Sequence, residues 1–466
     1  MSERWFPPLT SSLFCNMMTP SQPAEEAMTK PTPLYERPAE LLQTLIRFDT
    51  TNPPGNERAC IEYINGLLKE AGFETTLIAR NPERPNLVAR LKGAGKVPPL
   101  LLYAHTDVVT TAGQKWTYPP FEARIADGYI WGRGALDNKH TVAMYLAAIL
   151  KAKAEGLTPP GDVIFAATVD EENTCEDGAK FLVAEHPQLF DGVRYALGEF
   201  GGFNMTVTGK RFYLIQIGEK QVCPARITFH GPGGHGANPV RGGAMAKLAA
   251  TLRTLDRHPL PVRVTQPVRQ MLDQFAAGVD GLAGPVMRLL LNPVLTNAIL
   301  KIMGQNGTTF FPLLHNTVSP TILKASDKRN VIPSEVVLEL DGRLVPGCTA
   351  DDLKQELTAL LGADCTIETY LPDAGPATSD MGLFETLAAP LRALDPTGIP
   401  VPYVNPAVTD ARFFAKLGIQ TYGYTPLQLP DDFSFVGTIH AADERVPVAA
   451  LAFGTQAVYE VLKRFV

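Results

Sequence analysis

Three short apolar stretches of this chain, at 100–107, 162–172 and 195–202, each end abruptly in acidic or histidine side chains. Apolar runs of this length are typical of strands that are buried on both faces of a sheet. In α/β sheets, the residues that follow such strands line the edge where ligands bind. Helical and strand patterns alternate from residue 40 to about residue 217, and that order predicts an α/β sheet flanked by helices.

The first stretch reads LLLYAHTD and ends in His105 and Asp107. Histidine nitrogen is a common zinc ligand, and the second ring N–H of such a histidine is usually held by a carboxylate. Asp107 suits that supporting position, because residues two apart in a strand point to the same face. By itself, an H-x-D pattern is more typical of a structural histidine.

The stretch DVIFAATVDEE delivers three acids at a strand end, among them Glu171 and Glu172. Neighbouring carboxylates repel one another unless a cation lies among them, so the pattern favours a divalent metal. A solvated acidic turn is the alternative. Glu199, in GEFGG, repeats the arrangement of an acid at the end of a strand.

Two further candidates lie just ahead of helical patterns. Asp137 follows an aromatic strand and two glycines and precedes the helical stretch 140–153, where an aspartate could simply cap the helix. His440, in HAADERV, precedes the final helical pattern.

Taken together, these contexts resemble one family, that of the di-zinc metallohydrolases that include aminoacylase, acetylornithine and succinyl-diaminopimelate deacylases and glutamate carboxypeptidase. In style the chain is most similar to the branch of carboxypeptidase S and the N-fatty-acyl amino acid hydrolase. The resemblance extends from about Leu41 to the C-terminus. It is carried by the motifs TTNPPGNE, HTDVV, GRGALDNK, DEE, GEFGG, GPGGHGANP, NVIP, DGRLVPG, TDARFF and HAADERV.

The resemblance implies two Zn²⁺ ions per subunit, with Co²⁺ or Mn²⁺ as alternatives. The implied ligands are Asp137, which bridges both ions, His105 and Glu199 on one ion, and Glu172 and His440 on the other. Glu171 would be the general base that activates a metal-bridged hydroxide, with Asp107 as a catalytic supporting residue. The family also implies a cis peptide bond between Asp137 and Asn138.

The implied fold is a zinc-peptidase-like mixed sheet flanked by helices, with a smaller α+β lid and dimerisation domain inserted into it. The expected parts are an N-terminal extension (1–34), a catalytic di-zinc domain (35–216 with 372–466) and the inserted domain (217–371). The family implies that this inserted domain forms a homodimer.

Three residues of the inserted domain receive roles from the resemblance. His235 would reach the partner subunit's active site and stabilise the oxyanion, Asn330 would contact the substrate in trans, and Arg343 would clamp the substrate carboxylate. The alternatives are a solvated loop histidine for His235 and a surface ion pair for Arg343. The segment 263–304 is long for such a domain and carries helical patterns around 268–277 and 286–303. Their apolar faces could line an acyl pocket, the core of the lid or a dimer surface.

The implied activity is hydrolysis of the amide bond of a small N-acyl amino acid or short peptide with a free carboxylate, as an aminoacylase, dipeptidase or carboxypeptidase. A catalytically silent relative that binds a ligand or partner is the alternative. Loss of the base or of a ligand would indicate a silent relative, and this chain retains Glu171 and all five ligands.

Composition agrees with a globular enzyme, since 45% of the residues are hydrophobic and 19% are charged. The net charge of -6, without a basic tract, argues against nucleic acid as a partner. The six cysteines are scattered without C-x-x-C pairs, so we expect a reducing, cytoplasmic setting. Because no stretch is long and apolar enough to span a bilayer, no membrane partner is expected.

Overall fold

The computed structural model describes residues 32–370 and 379–466, except for the side chains of residues 305 and 306. The strands are β1 Glu74–Ile78, β2 Asn86–Leu91, β3 Leu100–His105, β4 Arg124–Ala126, β5 Tyr129–Trp131, β6 Val163–Thr168, β7 Tyr195–Gly198, β8 Asn204–Val207, β9 Lys210–Glu219, β10 Gln221–Val222, β11 Ala225–His230, β12 Gly234–His235, β13 Thr317–Lys324, β14 Val331–Ile332, β15 Glu335–Leu344, β16 Thr366–Thr369, β17 Ile399–Asn405, β18 Gln420–Gly423 and β19 Arg445–Pro447.

The helices are α1 Pro38–Ile46, α2 Arg58–Glu70, α3 Lys139–Ala154, α4 Ala179–Glu185, α5 Ala244–Arg257, α6 Gln266–Gly278, α7 Ala283–Leu289, α8 Thr296–Ile302, α9 Gln305–Leu314, α10 Ala350–Leu361, α11 Phe384–Leu394, α12 Ala411–Phe414, α13 Phe435–Thr438 and α14 Val448–Leu462. Short 3-10 helices cover Leu34–Glu36, Pro187–Phe190 and Ala415–Leu417. Nearly all of the predicted extension 1–34, and the predicted domain boundary at 371, lie outside the described residues.

The large sheet has the strand order β1-β2-β6-β3-β7-β18-β9-β17, and β8 pairs with β9. At its centre β3 runs parallel to β6 and β7, whereas β2 is antiparallel to β6 and β18 is antiparallel to β9. The sheet is therefore mixed, which confirms the fold that the family resemblance implied. The three predicted buried strands are β3, β6 and β7, and every residue in them is buried.

Helices cover both faces of this sheet. Alternate residues of β3 belong to two separate cores: Leu100 and Leu102 lie on the side of α3 and α14, and Leu101 and Tyr103 on the side of α4 and α12. Because both faces of these strands are buried, polar and apolar residues do not alternate along them. Among the described residues, no helix combines the length and apolar character needed to cross a membrane.

A second, smaller sheet follows β9 in the chain. Its order is β10-β15-β11-β16, with β13 paired to β15, and α5 and α10 pack against it around a separate core. A capping box between Thr349 and Asp352 begins α10. The large sheet extends to Glu219 and the small sheet begins at Gln221, which puts the change of sheet close to the predicted boundary at 216.

The segment 263–304 does not pack as its position in the sequence suggests. Helix α6 contacts β17 and β9, and the ring centroids of Phe275 and Phe212 are 4.8 Å apart, so this part of the predicted inserted domain joins the core of the large sheet. The pattern predicted around 286–303 forms two helices, α7 and α8, because Pro293 lies between them and has no N–H to continue a helix. A further helix, α9, follows.

Candidate metal centre

Three predicted ligands and the predicted base are brought together by adjacent strands. His105 is the last residue of β3, Glu171 and Glu172 follow β6, and Glu199 follows β7. Because β6 and β7 are both parallel neighbours of β3, their carboxyl ends meet at one edge of the sheet. Asp137 stands just before α3, in the loop after β5.

The predicted ligands form two groups that share Asp137. In the first, Nε2 of His105 lies 3.1 Å from Oδ1 of Asp137 and 3.1 Å from Oε2 of Glu199. In the second, Nε2 of His440 lies 3.1 Å from Oδ2 of Asp137 and 3.1 Å from Oε1 of Glu172. Within each group the potential ligand atoms all lie within 4.8 Å of one another. The same residues stand together that the family resemblance assigned to each ion, and their role as metal ligands stays a prediction.

The electrostatics of these groups favour a cation. Burial, followed by the charge of Asp137, raises the pKa of Glu172 to about 7. Burial also raises the pKa of Glu199. Hydrogen bonds to Asp137 and Glu172 raise the pKa of His440 to about 10. A divalent ion bound to the same atoms would relieve the burial and repulsion that raise the pKa values of these carboxyl groups. Imidazole nitrogen with carboxylate oxygen is a donor set that zinc accepts.

Asp107 connects the ends of two strands. Its carboxylate accepts hydrogen bonds from the backbone N–H groups of Glu171, at 3.1 Å, and Glu172, at 3.0 Å, and from Nδ2 of Asn52 at 2.8 Å. Burial alone would raise the pKa of Asp107. The interaction with His105 and the other hydrogen bonds outweigh burial, so the pKa of Asp107 is lowered. The nearest acceptor for Nδ1 of His105 is the Asp107 carbonyl oxygen at 3.0 Å, and the carboxylate Oδ1 lies 3.5 Å away. The carboxylate of Asp107 therefore lies closer to the backbone N–H groups of Glu171 and Glu172 than to the imidazole ring of His105.

Glu171, the predicted base, is partly buried, and its carboxyl group interacts electrostatically with Glu199 and His105 of the first group. Burial, followed by the negative charge of Glu199, raises the pKa of its carboxyl group well above the usual value. Nearby Asp410 is fully buried, and burial together with Glu199 raises its pKa to about 7.

The peptide bond between Asp137 and Asn138 is cis, which confirms the prediction. Nδ2 of Asn138 donates to Oε2 of Glu199 at 3.1 Å. The residue after Asp137 thus contacts the first group directly.

An ion pair that the sequence reasoning did not identify bonds to the backbone of a ligand in each group. The carboxylate of fully buried Glu444 accepts hydrogen bonds from the backbone N–H groups of Leu136, at 2.7 Å, and Asp137, at 3.0 Å. It also forms an ion pair with fully buried Arg133. Arg133 also donates to the carbonyl oxygen of His440 at 3.2 Å. The only sequence signal was spacing, since Arg133 and Glu444 each lie four residues from a predicted ligand.

A second buried cluster braces the loop before Glu171. Arg84 pairs with Glu57, with Nη2 to Oε1 at 2.6 Å, and with Asp170, with Nη1 to Oδ1 at 3.0 Å. Asn52 donates to the same Asp170 oxygen at 2.9 Å. Asn52 and Glu57 belong to the TTNPPGNE motif, to which the sequence reasoning assigned no role. Arg84 lies outside every motif quoted, and no pattern in the chain pointed to it.

The three predicted residues of the inserted domain are not part of the two groups. His235, in β12, pairs with Val331 of β14, and the carbonyl oxygen of Asn330 accepts the N–H of Gly236 at 2.8 Å. His235 and Asn330 are therefore neighbours, and both are exposed. Arg343 makes a two-pronged ion pair with Asp341, at 2.8 and 3.2 Å, which is the alternative that the sequence left open for it.

Two groups of imidazole and carboxylate donors lie at one edge of an α/β sheet. This arrangement is typical of the metallohydrolase class. Within that class, the chain belongs to the family described as peptidase family M20/M25/M40, whose sequence model matches residues 101–464.

Several named proteins are similar to the chain. A probable carboxypeptidase S-like 2 of Dictyostelium discoideum is 26% identical over 389 residues, which are 78% of this chain and 71% of the relative. The human N-fatty-acyl-amino acid synthase/hydrolase is 26% identical over 382 residues, 78% of this chain and 74% of the relative. A succinyl-diaminopimelate desuccinylase of Delftia acidovorans is 26% identical over 423 residues, 89% and 94% of the two chains.

Solved structures share the fold. An M20 family metallo-carboxypeptidase from Sulfolobus solfataricus superposes with a TM-score of 0.63 at 18% identity, covering 91% of this chain and 98% of that one. Human carnosine dipeptidase 1 gives a TM-score of 0.61 at 16% identity, covering 92% and 95%.

Proposed function

We propose that the protein is a two-metal hydrolase that cleaves the amide bond of a small N-acyl amino acid or short peptide. The observation that carries the proposal is the shared carboxylate: Oδ1 of Asp137 faces one imidazole and Oδ2 faces the other, each at 3.1 Å. Two ligand groups joined through one carboxylate are suited to two ions placed side by side over a single scissile bond.

Each residue of the site has a proposed task. His105, Asp137 and Glu199 would hold one ion, and Asp137, Glu172 and His440 the other. When bound, two divalent ions would polarise a substrate carbonyl and make a water nucleophile available near neutral pH. Glu171 would accept a proton on its carboxylate and pass it to the leaving amine. Asp107 would hold Glu171 in position through its backbone N–H.

The substrate class rests on the relatives. Those named for carboxypeptidase, N-fatty-acyl-amino acid and succinyl-diaminopimelate activities share an amide whose amine side is an amino acid. We infer a substrate with a free carboxylate and assign Arg343 as its clamp, since a guanidinium group pairs with a carboxylate in two-pronged fashion. The pairing of Arg343 with Asp341 would have to open for this contact to form.

Metal removal provides the test of the proposed function. We expect the protein loaded with Zn²⁺ to release amine from at least one substrate in a panel of N-acyl amino acids, N-fatty-acyl amino acids and dipeptides. Chelation should abolish this turnover and readdition of Zn²⁺ should restore it, because both ligand groups would be emptied and refilled. The number of ions per chain is measured in parallel by elemental analysis. Turnover that survives complete removal of the ions would contradict the proposal.

We also propose a homodimer in which His235 and Asn330 serve the partner's site. Among the described strands β13 pairs only with β15, and it exposes Ile322 by 53% and Leu323 by 51%, as an unpaired edge strand available to a second chain does.

Complementation between two inactive variants tests this arrangement. Coexpressed Glu171→Gln and His235→Ala chains should regain about a quarter of the wild-type activity, because half of the dimers are hybrids and each hybrid has one complete site. Each variant purified alone serves as the control. Hybrids no more active than the separate variants would exclude the trans role of His235.

A further inference from the structure

Helices α7 and α8, together with the turn between them, expose apolar side chains to an unusual degree. The exposed fractions are 82% for Leu282, 88% for Val294 and 78% for Ile302. Single exposed apolar residues are ordinary on protein surfaces, but several from one short segment mark an interaction surface. We call the exposed apolar residues of this segment the 282–302 surface: Leu282, Pro285, Val286, Leu289, Pro293, Val294, Leu295, Ala298 and Ile302.

Both helices carry buried apolar residues on one side and exposed apolar residues on another. On α7 the inward residues Met287 and Leu290 are buried in the core of the large sheet. Leu282, Val286 and Leu289 have the spacing i, i+4, i+7 that places side chains on one face, and they are exposed. The inner face is thus already packed, and the outer apolar face has no role in the core.

The outer face of α8 is also apolar and exposed. Leu295, Ala298 and Ile302 have the spacing i, i+3, i+7, and all three are exposed, whereas Leu300 points inward and is buried. An ordinary surface helix of this protein is different: α2 exposes Glu62, Lys69 and Glu70.

The charged residues of the segment are all basic. No Asp or Glu occurs between Asp280 and Asp327, although the chain as a whole carries a net charge of -6. Arg288 and Lys301, which lie between these apolar residues, are exposed, and Arg288 forms an exposed ion pair with Asp273 of α6, with Nε 3.8 Å from Oδ1. Apolar tips with flanking cations and few acids are the composition of elements that lie on anionic lipid surfaces.

We propose that the 282–302 surface docks the protein on a membrane that carries anionic headgroups, with the apolar tips inserted at the interface and Arg288 and Lys301 at headgroup level. A second copy of the chain is a poorer occupant. In a symmetric pair the surface would face itself, so that cations would oppose cations with no acid of the segment between them. The proposal concerns a peripheral contact, and to that extent it revises the expectation of no membrane partner.

Vesicle cosedimentation tests the proposal. We expect the full-length protein to bind vesicles of phosphatidylcholine mixed with phosphatidylserine more strongly than vesicles of phosphatidylcholine alone. The variant Leu282→Gln/Val294→Gln/Ile302→Gln should bind the mixed vesicles at least about tenfold more weakly, because its apolar tips no longer favour insertion. The variant Arg288→Gln/Lys301→Gln should lose the preference for phosphatidylserine.

The matched control is Leu77→Gln/Ile125→Gln/Leu394→Gln, which removes three apolar side chains exposed by 43%, 49% and 38% elsewhere. It should bind vesicles as the wild type does. Equal binding by the two triple variants, or no binding by the wild type, would overturn the proposal. So would a wild-type oligomer, measured by light scattering, that the 282–302 variant dissociates while vesicle binding is absent, since that result identifies a surface for self-association.

Discussion

The Glu171→Gln variant is expected to lose about 10²- to 10⁴-fold in kcat while it retains the metal content of the wild type, because glutamine cannot accept a proton. The side chain keeps its size, and the backbone N–H of residue 171 can still bond to Asp107. The change therefore removes the proposed proton transfer with little effect on the ligand groups. Steady-state amine release and elemental analysis of the same sample measure the two quantities.

Two comparisons make this result specific. Glu176→Gln, on the same loop, removes an exposed acid that pairs with Arg80, and it should leave kcat unchanged. Glu172→Gln should instead lower the metal content, because it alters a proposed ligand. If Glu171→Gln loses metal to the same extent as Glu172→Gln, residue 171 is a ligand, and the role of base belongs to another group.

The Arg133→Met variant is expected to lose about 3–5 kcal/mol of unfolding free energy, because it leaves the carboxylate of Glu444 buried and unpaired. Both side chains of this ion pair are fully buried. Denaturant unfolding, followed by circular dichroism, gives the measurement. Arg194→Met, which removes an exposed partner of Asp380, is the matched control and should unfold at the wild-type midpoint.

The pH dependence of that loss can be assigned a sign. Burial already raises the pKa of Glu444, and removal of Arg133 leaves that effect less opposed. A carboxyl group whose folded pKa exceeds its unfolded pKa binds more protons when folded, so stability falls as pH rises between the two values. Arg133→Met should therefore recover part of its stability when the pH is lowered from neutral toward the unfolded pKa of glutamate.

The double variant Arg133→Met/Glu444→Gln should be more stable at neutral pH than Arg133→Met alone. Its glutamine carries no charge, and its oxygen can still accept the N–H groups of Leu136 and Asp137. A double variant as unstable as the single one would show that the loss comes from packing around Arg133.

The parts of the fold that were predictable are those whose physical cause is local in the sequence. The strands β3 and β6 are continuous apolar runs, and the acids at their ends mark the edge where the site forms. The same local reasoning joined 286–303 into one helical pattern, although the turn at Pro293 divides it.

The parts that were not predictable depend on contacts between distant residues. Arg84 meets Glu57, 27 positions away, and Asp170, 86 positions away, and neither spacing leaves a periodic signal. Helix α6 joins the large sheet because its apolar face fits against Phe212, a partner that helical periodicity cannot identify. The grouping of the predicted ligands came from the family resemblance, since spacing along the chain does not determine which acid faces which histidine.

The shared position of Asp137 has a consequence for how the site would fill. Because opposite oxygens of one carboxylate face the two groups, the first ion to bind would fix the orientation of that carboxylate and also draw on its negative charge. The affinities for the two ions would therefore be thermodynamically linked, each changing the other by the same factor. A metal titration of this protein would report on the pair of positions, because the dissociation constant of each position would depend on whether the other is filled.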